Sequence, residues 1–321
     1  MGQRPCWAEV SLNQLRENLS IIRRHIGAER KVLCVVKADA YGHGAVPVAR
    51  ALEDAGADAL GVACVAEAVE LRRGGIRAPV IVLTGFFPGE ERELLEHGIT
   101  PGITEIGQLE RLEKAAAAAG RRVRCHVKFD TGMGRLGIPC GEVGRMLEVL
   151  SRCRAVEVEG LYTHFAAAED FTSSQTEEQV ARFEKLRAQC AAAGLKPAAI
   201  HLANTGAIVA RPETWGTMVR PGSMLYGYLS FYKFPEGQDR SADFAARLPV
   251  RPVLSLKARV FMIRDYPAQA PLGYGARFVT QRASRIAVLP IGYGHGWRPE
   301  RSIGRRGKGD VNVTQDQQTS A

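Results

Sequence analysis

The sequence predicts a (β/α)8 barrel followed by a small domain of β-strands, and three observations support this prediction. Eight short β-rich runs alternate with helical stretches before residue 235. The runs are almost continuously apolar, as parallel strands are when both faces of their sheet are covered. Polar residues cluster where the runs end, which favours a barrel over the doubly wound sheet that gives the same local pattern.

The predicted elements follow one another as strand and helix. The strands are predicted at residues 31–36, 58–64, 79–85, 99–104, 122–130, 156–165, 198–204 and, more weakly, 218–227. The helices between them are predicted at residues 45–55, 65–73, 90–98, 107–120, 142–153 and 177–194. Glycine closes several of these helices, as Gly56 does after the first of them.

The character of the sequence changes after residue 235. The run KFPEGQDRSADFAARLP is typical of a linker or loop, and alternating runs at 253–263 and 285–294 then predict strands with no helix between them. We therefore predict a barrel over residues 1–235 and a partial β domain over residues 236–321. The last part of that domain is basic, lacks apolar periodicity and is predicted to be a disordered tail.

Composition excludes several classes of protein. The net charge is +9, but part of the excess is local to the basic tail, and no nucleic-acid-binding motif accompanies it. The seven cysteines are scattered without C-x-x-C spacing, which predicts reduced thiols and no metal site. There is no long apolar run and no secretory signal. We expect a cytoplasmic protein without a membrane or nucleic-acid partner.

A lysine directly follows the first predicted strand, in the run VVKADAYGHG. In a barrel this position places the amine of Lys37 at the mouth, where it can form a Schiff base with an aldehyde cofactor. A solvated charge is the commoner role for a lysine at the end of a strand. Tyr41, Gly42 and Gly44 favour the functional interpretation, because a phosphate group needs a hydroxyl and a close backbone approach.

The run KADAYGHG is similar to the lysine signature of the alanine racemase family, and the resemblance extends over roughly residues 5 to 297. Six further motifs carry it in order. They are KFDTGMGRLG (128–137), YTHFA (162–166), HLANTGA (201–207), VRPGSMLYG (219–227), LGYGARF (272–278) and LPIGYGHG (289–296). The resemblance implies an amino-acid racemase that depends on pyridoxal 5'-phosphate (PLP), with alanine as the expected substrate.

The resemblance also implies which residues hold the cofactor. Lys37 would carry PLP covalently, and Arg220 would face its pyridine nitrogen, with His164 orienting the guanidinium. Tyr41, Thr205 and the backbone amides of Gly222 and Ser223 would bind the phosphate, and Asn204 would be a further cofactor-binding residue. An arginine only donates and keeps its charge, so the ring nitrogen would stay unprotonated.

Racemisation requires one base on each face of the α-carbon. The resemblance assigns these roles to Lys37 and to Tyr274, the latter from the partner subunit of a homodimer with shared active sites. Without the resemblance, Tyr274 would be interpreted as a surface aromatic in a glycine-rich turn. Arg135 matches an arginine that contacts the substrate carboxylate, and Lys128 matches a lysine that is carbamylated in many members.

The chain departs from the family near its C-terminus. Members usually extend some tens of residues further, whereas here the pattern dissolves after LPIGYGHGWRPE, and His295 stands where aspartate is usual. This suggests a truncated or frameshifted β domain, for which we expect weak dimerisation and impaired turnover. Two alternatives remain open. One is a non-catalytic PLP-binding barrel; the other is a PLP-dependent decarboxylase, against which Arg220 argues.

Overall fold

The computed structural model describes residues 5–295, which form two compact units. Val10–Leu254 make up the first unit, and residues up to Glu9 together with those from Ser255 onward make up the second. The predicted disordered tail lies outside the described residues. The predicted boundary at 235 falls before the point where the two units divide.

The first unit is a barrel of parallel strands. In spatial order its strands are β10 (Met218–Val219), β2 (Lys31–Val35), β3 (Ala59–Val62), β4 (Val80–Val82), β5 (Thr100–Ile103), β6 (Val123–Asp130), β8 (Val156–Tyr162) and β9 (Ala199–His201). All of the neighbouring pairs in this order are parallel. The short strand β7 (Ile138–Pro139) pairs with β6 beside this path. The barrel predicted from the alternating pattern is confirmed.

Two backbone hydrogen bonds connect the first and last strands of that order. The amide of Thr217 donates to the carbonyl of Ile200 at 2.9 Å, and the amide of Arg220 donates to the carbonyl of Ala203 at 3.0 Å. These bonds bring β9 and β10 together, so the eight strands enclose a nearly closed barrel. Arg220 therefore lies at the seam where the barrel closes.

Helices cover the outside of the barrel. They span Leu12–Ile26, Ala45–Asp54, Val65–Arg73, Glu91–Glu96, Ile106–Ala118, Val143–Arg152, Gln175–Ala192, Thr205–Ala210 and Ser241–Arg247. Leucine, isoleucine and valine of these helices pack with the strands into one large hydrophobic core. The burial of this apolar surface is what holds the strand ends, and hence the mouth of the barrel, in a fixed arrangement.

Three of these helices were not predicted from the sequence, namely Leu12–Ile26, Thr205–Ala210 and Ser241–Arg247. Leu12–Ile26 begins where Ser11 Oγ accepts a hydrogen bond from the amide of Gln14, and it buries an apolar face against the barrel. Ser241–Arg247 lies inside the stretch predicted to be a linker, and burial of Phe244 in the core stabilises it. Tertiary packing overrides the polar local sequence there.

The second unit consists of β-strands in pairs. β1 (Cys6–Val10) pairs with β11 (Leu254–Ala258), β12 (Met262–Tyr266) pairs with β15 (Ser284–Val288), and β13 (Pro271–Leu272) pairs with β14 (Phe278–Val279). The last two pairs are antiparallel. The predicted small β domain is therefore present, and it recruits an N-terminal strand that the sequence analysis did not assign.

Candidate active site

A cavity of about 290 Å³ opens where the parallel strands of the barrel end. Residues from many strand ends line it, as is usual for the active site of this fold. Among them are Lys37, Tyr41, Lys128, Arg135, His164, Asn204, Thr205, Arg220, Gly222 and Ser223. The structure thus brings together every predicted site residue except Tyr274.

Lys37 lies two residues after the end of β2 and is half-buried at the edge of this cavity. The backbone after it is unusual, because the four residues from Ala38 to Tyr41 all have positive φ, between 51° and 56°. None of the four is glycine. A left-handed conformation costs roughly 1–2 kcal/mol for each residue with a side chain. Strain of this kind is typical of functional sites, where the surrounding structure enforces it.

Two carboxylates hold the left-handed turn in place. Glu67 accepts hydrogen bonds from the amides of Ala38 and Ala63, both at 2.7 Å, and so ties the turn to the end of β3. Asp39 accepts from the amide of Ala45 at 2.6 Å. Hydrogen bonds from amides to charged carboxylates are among the stronger ones in proteins. They fix the direction in which Lys37 and Tyr41 leave the backbone.

Glu67→Gln is expected to loosen this turn. Glutamine offers one oxygen in place of two, so one of the two amides would face an NH2 group, at a cost of about 1–3 kcal/mol. We expect a lower urea midpoint of unfolding and weaker retention of PLP. Glu70→Gln, which changes an exposed residue of the same helix, serves as the control. Equal urea midpoints and PLP retention for the two variants would contradict this role for Glu67.

Three polar groups converge on one side of the cavity. The amide of Gly222 donates to Thr205 Oγ1 at 3.1 Å, and a Cβ atom at Gly222 would lie only 2.8 Å from the Tyr41 hydroxyl oxygen. Asn204 caps the next helix by accepting from the amide of Ala207 at 3.1 Å. Hydroxyl and backbone donors around a space that a methyl group would fill are suited to a phosphate group.

Arg220 is 4% exposed and is held from several directions. Its guanidinium donates to the carbonyl oxygens of Thr163 at 2.7 Å and Leu202 at 3.0 Å, and to His201 Nδ1 at 3.1 Å. Burial lowers the pKa of Arg220 to about 10, so the group remains a cation at neutral pH. It presents a fixed positive charge to the cavity.

The predicted partner of Arg220, His164, lies at the edge of hydrogen-bond distance. Its Nδ1 is 3.4 Å from a guanidinium nitrogen of Arg220. Burial and, next, the charge of Arg220 lower the pKa of His164 to about 3, so this imidazole is neutral at neutral pH. His201 makes the shorter contact with Arg220. His201 belongs to the motif HLANTGA, but nothing in the sequence predicted a role for it.

Lys128 and Arg135 bring further positive charge to the cavity. Burial first, and then the charges of the nearby cations Arg220 and Arg135, together lower the pKa of Lys128 to about 8. Arg135 itself is exposed at the rim. With Lys37 these groups make the cavity strongly electropositive, as an anionic cofactor and a substrate carboxylate require.

Tyr274 belongs to the β unit, in the turn between β13 and β14, and is 89% exposed. Glu169 lines the cavity as well, and it accepts a hydrogen bond from Ser230 Oγ at 2.9 Å. Nothing in the sequence singled out Glu169, because its place at the site depends on the fold.

Comparison with known proteins supports the same interpretation. The sequence model of the alanine racemase N-terminal domain matches residues 10–230, and that of the C-terminal domain matches residues 253–318. The alanine racemase of Symbiobacterium thermophilum is 41% identical over 298 residues, which are 92% of this chain and 76% of that protein. The alanine racemase of Geobacter sp. strain M21 is 38% identical over 306 residues, 92% of this chain and 77% of that protein.

Solved structures give the same result. A structure of alanine racemase from Clostridium difficile 630 has a TM-score of 0.77 at 32% identity, covering 93% of this chain and 76% of that one. The structure of alanine racemase from Streptomyces coelicolor A3(2) has a TM-score of 0.78 at 32% identity, and the match covers 91% of this chain and 76% of that one. The agreement extends over both units of the chain.

One barrel cavity lined by a lysine, by hydroxyl and amide donors and by a buried arginine is the kind of site that a PLP-dependent isomerase requires. The chain belongs to the alanine racemase family. The residues present fit the cofactor, because hydroxyl and amide donors meet where its phosphate would bind.

Of the described residues, no three histidine, cysteine or acidic side chains are placed to hold a metal ion. None of the described helices has both the length and the apolar character needed to cross a membrane.

Proposed function

We propose that this protein interconverts L- and D-alanine in the cytoplasm, using PLP bound in the barrel cavity. The observation that carries the proposal is that Lys37, Arg220 and the Thr205–Gly222 cradle line one cavity. The choice of alanine as the substrate is supported by relatives that are named alanine racemases and that align over most of this chain. The decarboxylase alternative is disfavoured by Arg220, since that class places an acid against the ring nitrogen.

Bound PLP would supply an electron-withdrawing ring that acidifies the α-hydrogen of an attached amino acid. Thr205, Tyr41 and the amides of Gly222 and Ser223 would hold its phosphate, with Asn204 supporting that loop. Arg220 would donate a hydrogen bond to the ring nitrogen. Because a guanidinium has no acceptor, that nitrogen would have to accept and would stay unprotonated. This limits side reactions that need a protonated ring.

Two groups of the protein would move the proton. The Lys37 amine, freed when substrate binds, would take or return the α-hydrogen on one face. The phenolic oxygen of Tyr274, supplied by the partner subunit of a homodimer, would act on the other face. Arg135 would bind the substrate carboxylate at the cavity rim, which fixes the α-carbon between the two bases.

Lys128 is the remaining cation of the site, and we assign it a carbamate. Its lowered pKa leaves a substantial neutral fraction at pH 8. The nitrogen lone pair would attack the carbon of CO2, an N–C bond would form, one C=O electron pair would move to oxygen, and a proton would pass to solvent. The product is an anion, which would relieve repulsion among Lys128, Arg135 and Arg220 and position Arg135.

This assignment has a direct test. With 13C-labelled bicarbonate, we expect a carbamate signal in the 13C spectrum that grows as pH rises through about 8, because only the neutral amine reacts. Lys128→Arg should abolish the signal, while Lys114→Arg, a change on the exposed face of a covering helix, should retain it. A signal that survives Lys128→Arg would refute the assignment.

The proposed activity is tested by polarimetry with D- or L-alanine on protein loaded with PLP. We expect both enantiomers to approach the racemic mixture. Retained PLP without racemisation would instead support the non-catalytic binder. Release of CO2 from either enantiomer would support the decarboxylase.

A further inference from the structure

A chain of buried polar side chains continues beyond Arg220 into the barrel interior. His201 Nδ1 lies 3.1 Å from the guanidinium, and His126 Nδ1 lies 2.8 Å from the other ring nitrogen of His201, Nε2. His126 Nε2 in turn faces a carboxylate oxygen of Glu159 at 3.6 Å. Both imidazoles are almost fully buried, whereas Glu159 is partly exposed. The series thus connects the arginine at the mouth with a carboxylate deeper along the barrel.

The backbone is shaped to bring these side chains together. Along β6 and β8 the register shifts, so that Cys125 pairs with Val158 but His126 pairs with Gly160. Glu159 is therefore the extra residue of a β-bulge, a feature that redirects side chains and is frequent beside active sites. A Cβ atom at Gly160 would lie 2.4 Å from His126 Nδ1, so only glycine leaves room for this ring.

Hydrogen-bond logic fixes the protons of the whole series. Arg220 can only donate, so His201 Nδ1 must accept and the proton of His201 must lie on Nε2. That proton is donated to His126 Nδ1, which must accept it, so the proton of His126 lies on Nε2. His126 Nε2 is the ring nitrogen that lies 3.6 Å from a carboxylate oxygen of Glu159. The pKa of Glu159 is lowered by His126 and by the nearby cations Arg124 and Lys31. Every member of the series has one consistent role.

We propose that Glu159 and His126 are positioning residues that fix the tautomer of His201 and thereby hold Arg220 against the cofactor ring. The carboxylate favours an N–H on the facing nitrogen of His126, and the preference passes from ring to ring. If either ring adopted the other tautomer, an N–H of His201 would oppose an N–H of Arg220, and the guanidinium would shift. Stacking of His201 on Tyr162, with centroids 4.7 Å apart, prevents the imidazole from turning away.

The functional part of this inference rests on the proposed function, because it assumes that Arg220 faces PLP. The structural part does not, and it can be measured without substrate. In 15N-histidine-labelled protein, long-range 1H–15N spectra distinguish the two tautomers. Signals would be assigned with His126→Gln and His201→Gln. We expect both histidines to carry the proton on Nε2 in the wild-type protein.

Glu159→Leu removes the carboxylate at the far end. We expect the His201 signals to move toward a mixture of tautomers, and kcat for racemisation to fall by roughly tenfold with little change in KM, as for other outer groups that orient a contacting residue. Glu159→Gln keeps an oxygen acceptor. It should therefore retain most of the wild-type His201 tautomer and most of the wild-type kcat. Glu157→Gln is the matched control, since Glu157 lies on the same strand and contacts Arg124 but not His126.

The outcomes separate the inference from the proposed function. The proposed role of Glu159 and His126 would be overturned, whatever the activity, by either of two results. One is an Nδ1–H tautomer in wild-type His201 or His126; the other is unchanged His201 signals in folded Glu159→Leu protein. A protein that shows the expected tautomers but fails to racemise alanine would support the positioning role of Glu159 and His126 and refute the proposed function. If Glu159→Leu is unstable, the tautomers in Glu159→Gln and the wild-type protein still decide the matter.

Discussion

Lys37→Ala is expected to abolish stable PLP binding and to reduce alanine racemisation by at least about 10³-fold, because we propose that this lysine is both the covalent attachment of the cofactor and a general base. The variant should remain folded. Lys37 is half-buried and leaves β2 at the mouth, so its truncation removes no core packing. The measurements are the cofactor absorbance that elutes with the protein and the racemisation rate.

A surface lysine provides the control for this experiment. Lys185→Ala alters an exposed position of the helix Gln175–Ala192, and it should retain PLP and activity. If Lys37→Ala keeps its cofactor through dialysis and gel filtration, another residue anchors PLP. In that case the assignment of Lys37 is wrong.

Mixing Lys37→Ala protein with Tyr274→Phe protein is expected to restore activity that neither variant has alone. If each active site takes Lys37 from one chain and Tyr274 from its partner, one of the two sites in every heterodimer contains both bases. Random exchange of subunits makes half of the dimers heterodimers, so about one quarter of the wild-type activity should return. Racemisation before and after mixing measures this gain.

Heterodimer formation must be shown separately, by giving the two variants different affinity tags and recovering both from one column. Recovered heterodimers without any gain in activity would contradict the shared site. Strong racemisation by either variant alone would contradict the assignment of its base. Full wild-type activity from a preparation that remains monomeric would contradict the dimer altogether.

The sequence was sufficient for the barrel and for most of the cavity, for identifiable reasons. Apolar runs such as residues 31–36 are long enough and regular enough to specify buried parallel strands. The position of Lys37 at a strand end follows from the same periodicity, whereas Tyr41 and Arg220 were assigned through motifs that resemble those of the alanine racemase family. The structure then shows that these positions share one cavity.

Other features depend on contacts between distant residues, and the sequence carries no local sign of them. His126, Glu159 and His201 lie on three neighbouring strands, and only the bulge at Glu159 brings them into one series. The left-handed turn after Lys37 contains Ala38 and no glycine until Gly42, so propensity alone gives no reason to expect it. The carboxylates of Glu67, on a different helix, and of Asp39, within the turn, stabilise it.

Reductive trapping tests the central claim most directly, since it asks where the cofactor is attached. Borohydride makes a link between PLP and a lysine permanent, and peptide mass analysis then locates the modified residue. We expect a single modified site, at Lys37 in the run VVKADAYGHG. Modification of Lys128 or of another lysine in place of Lys37, or PLP that stays bound without any trapped lysine, would contradict the account.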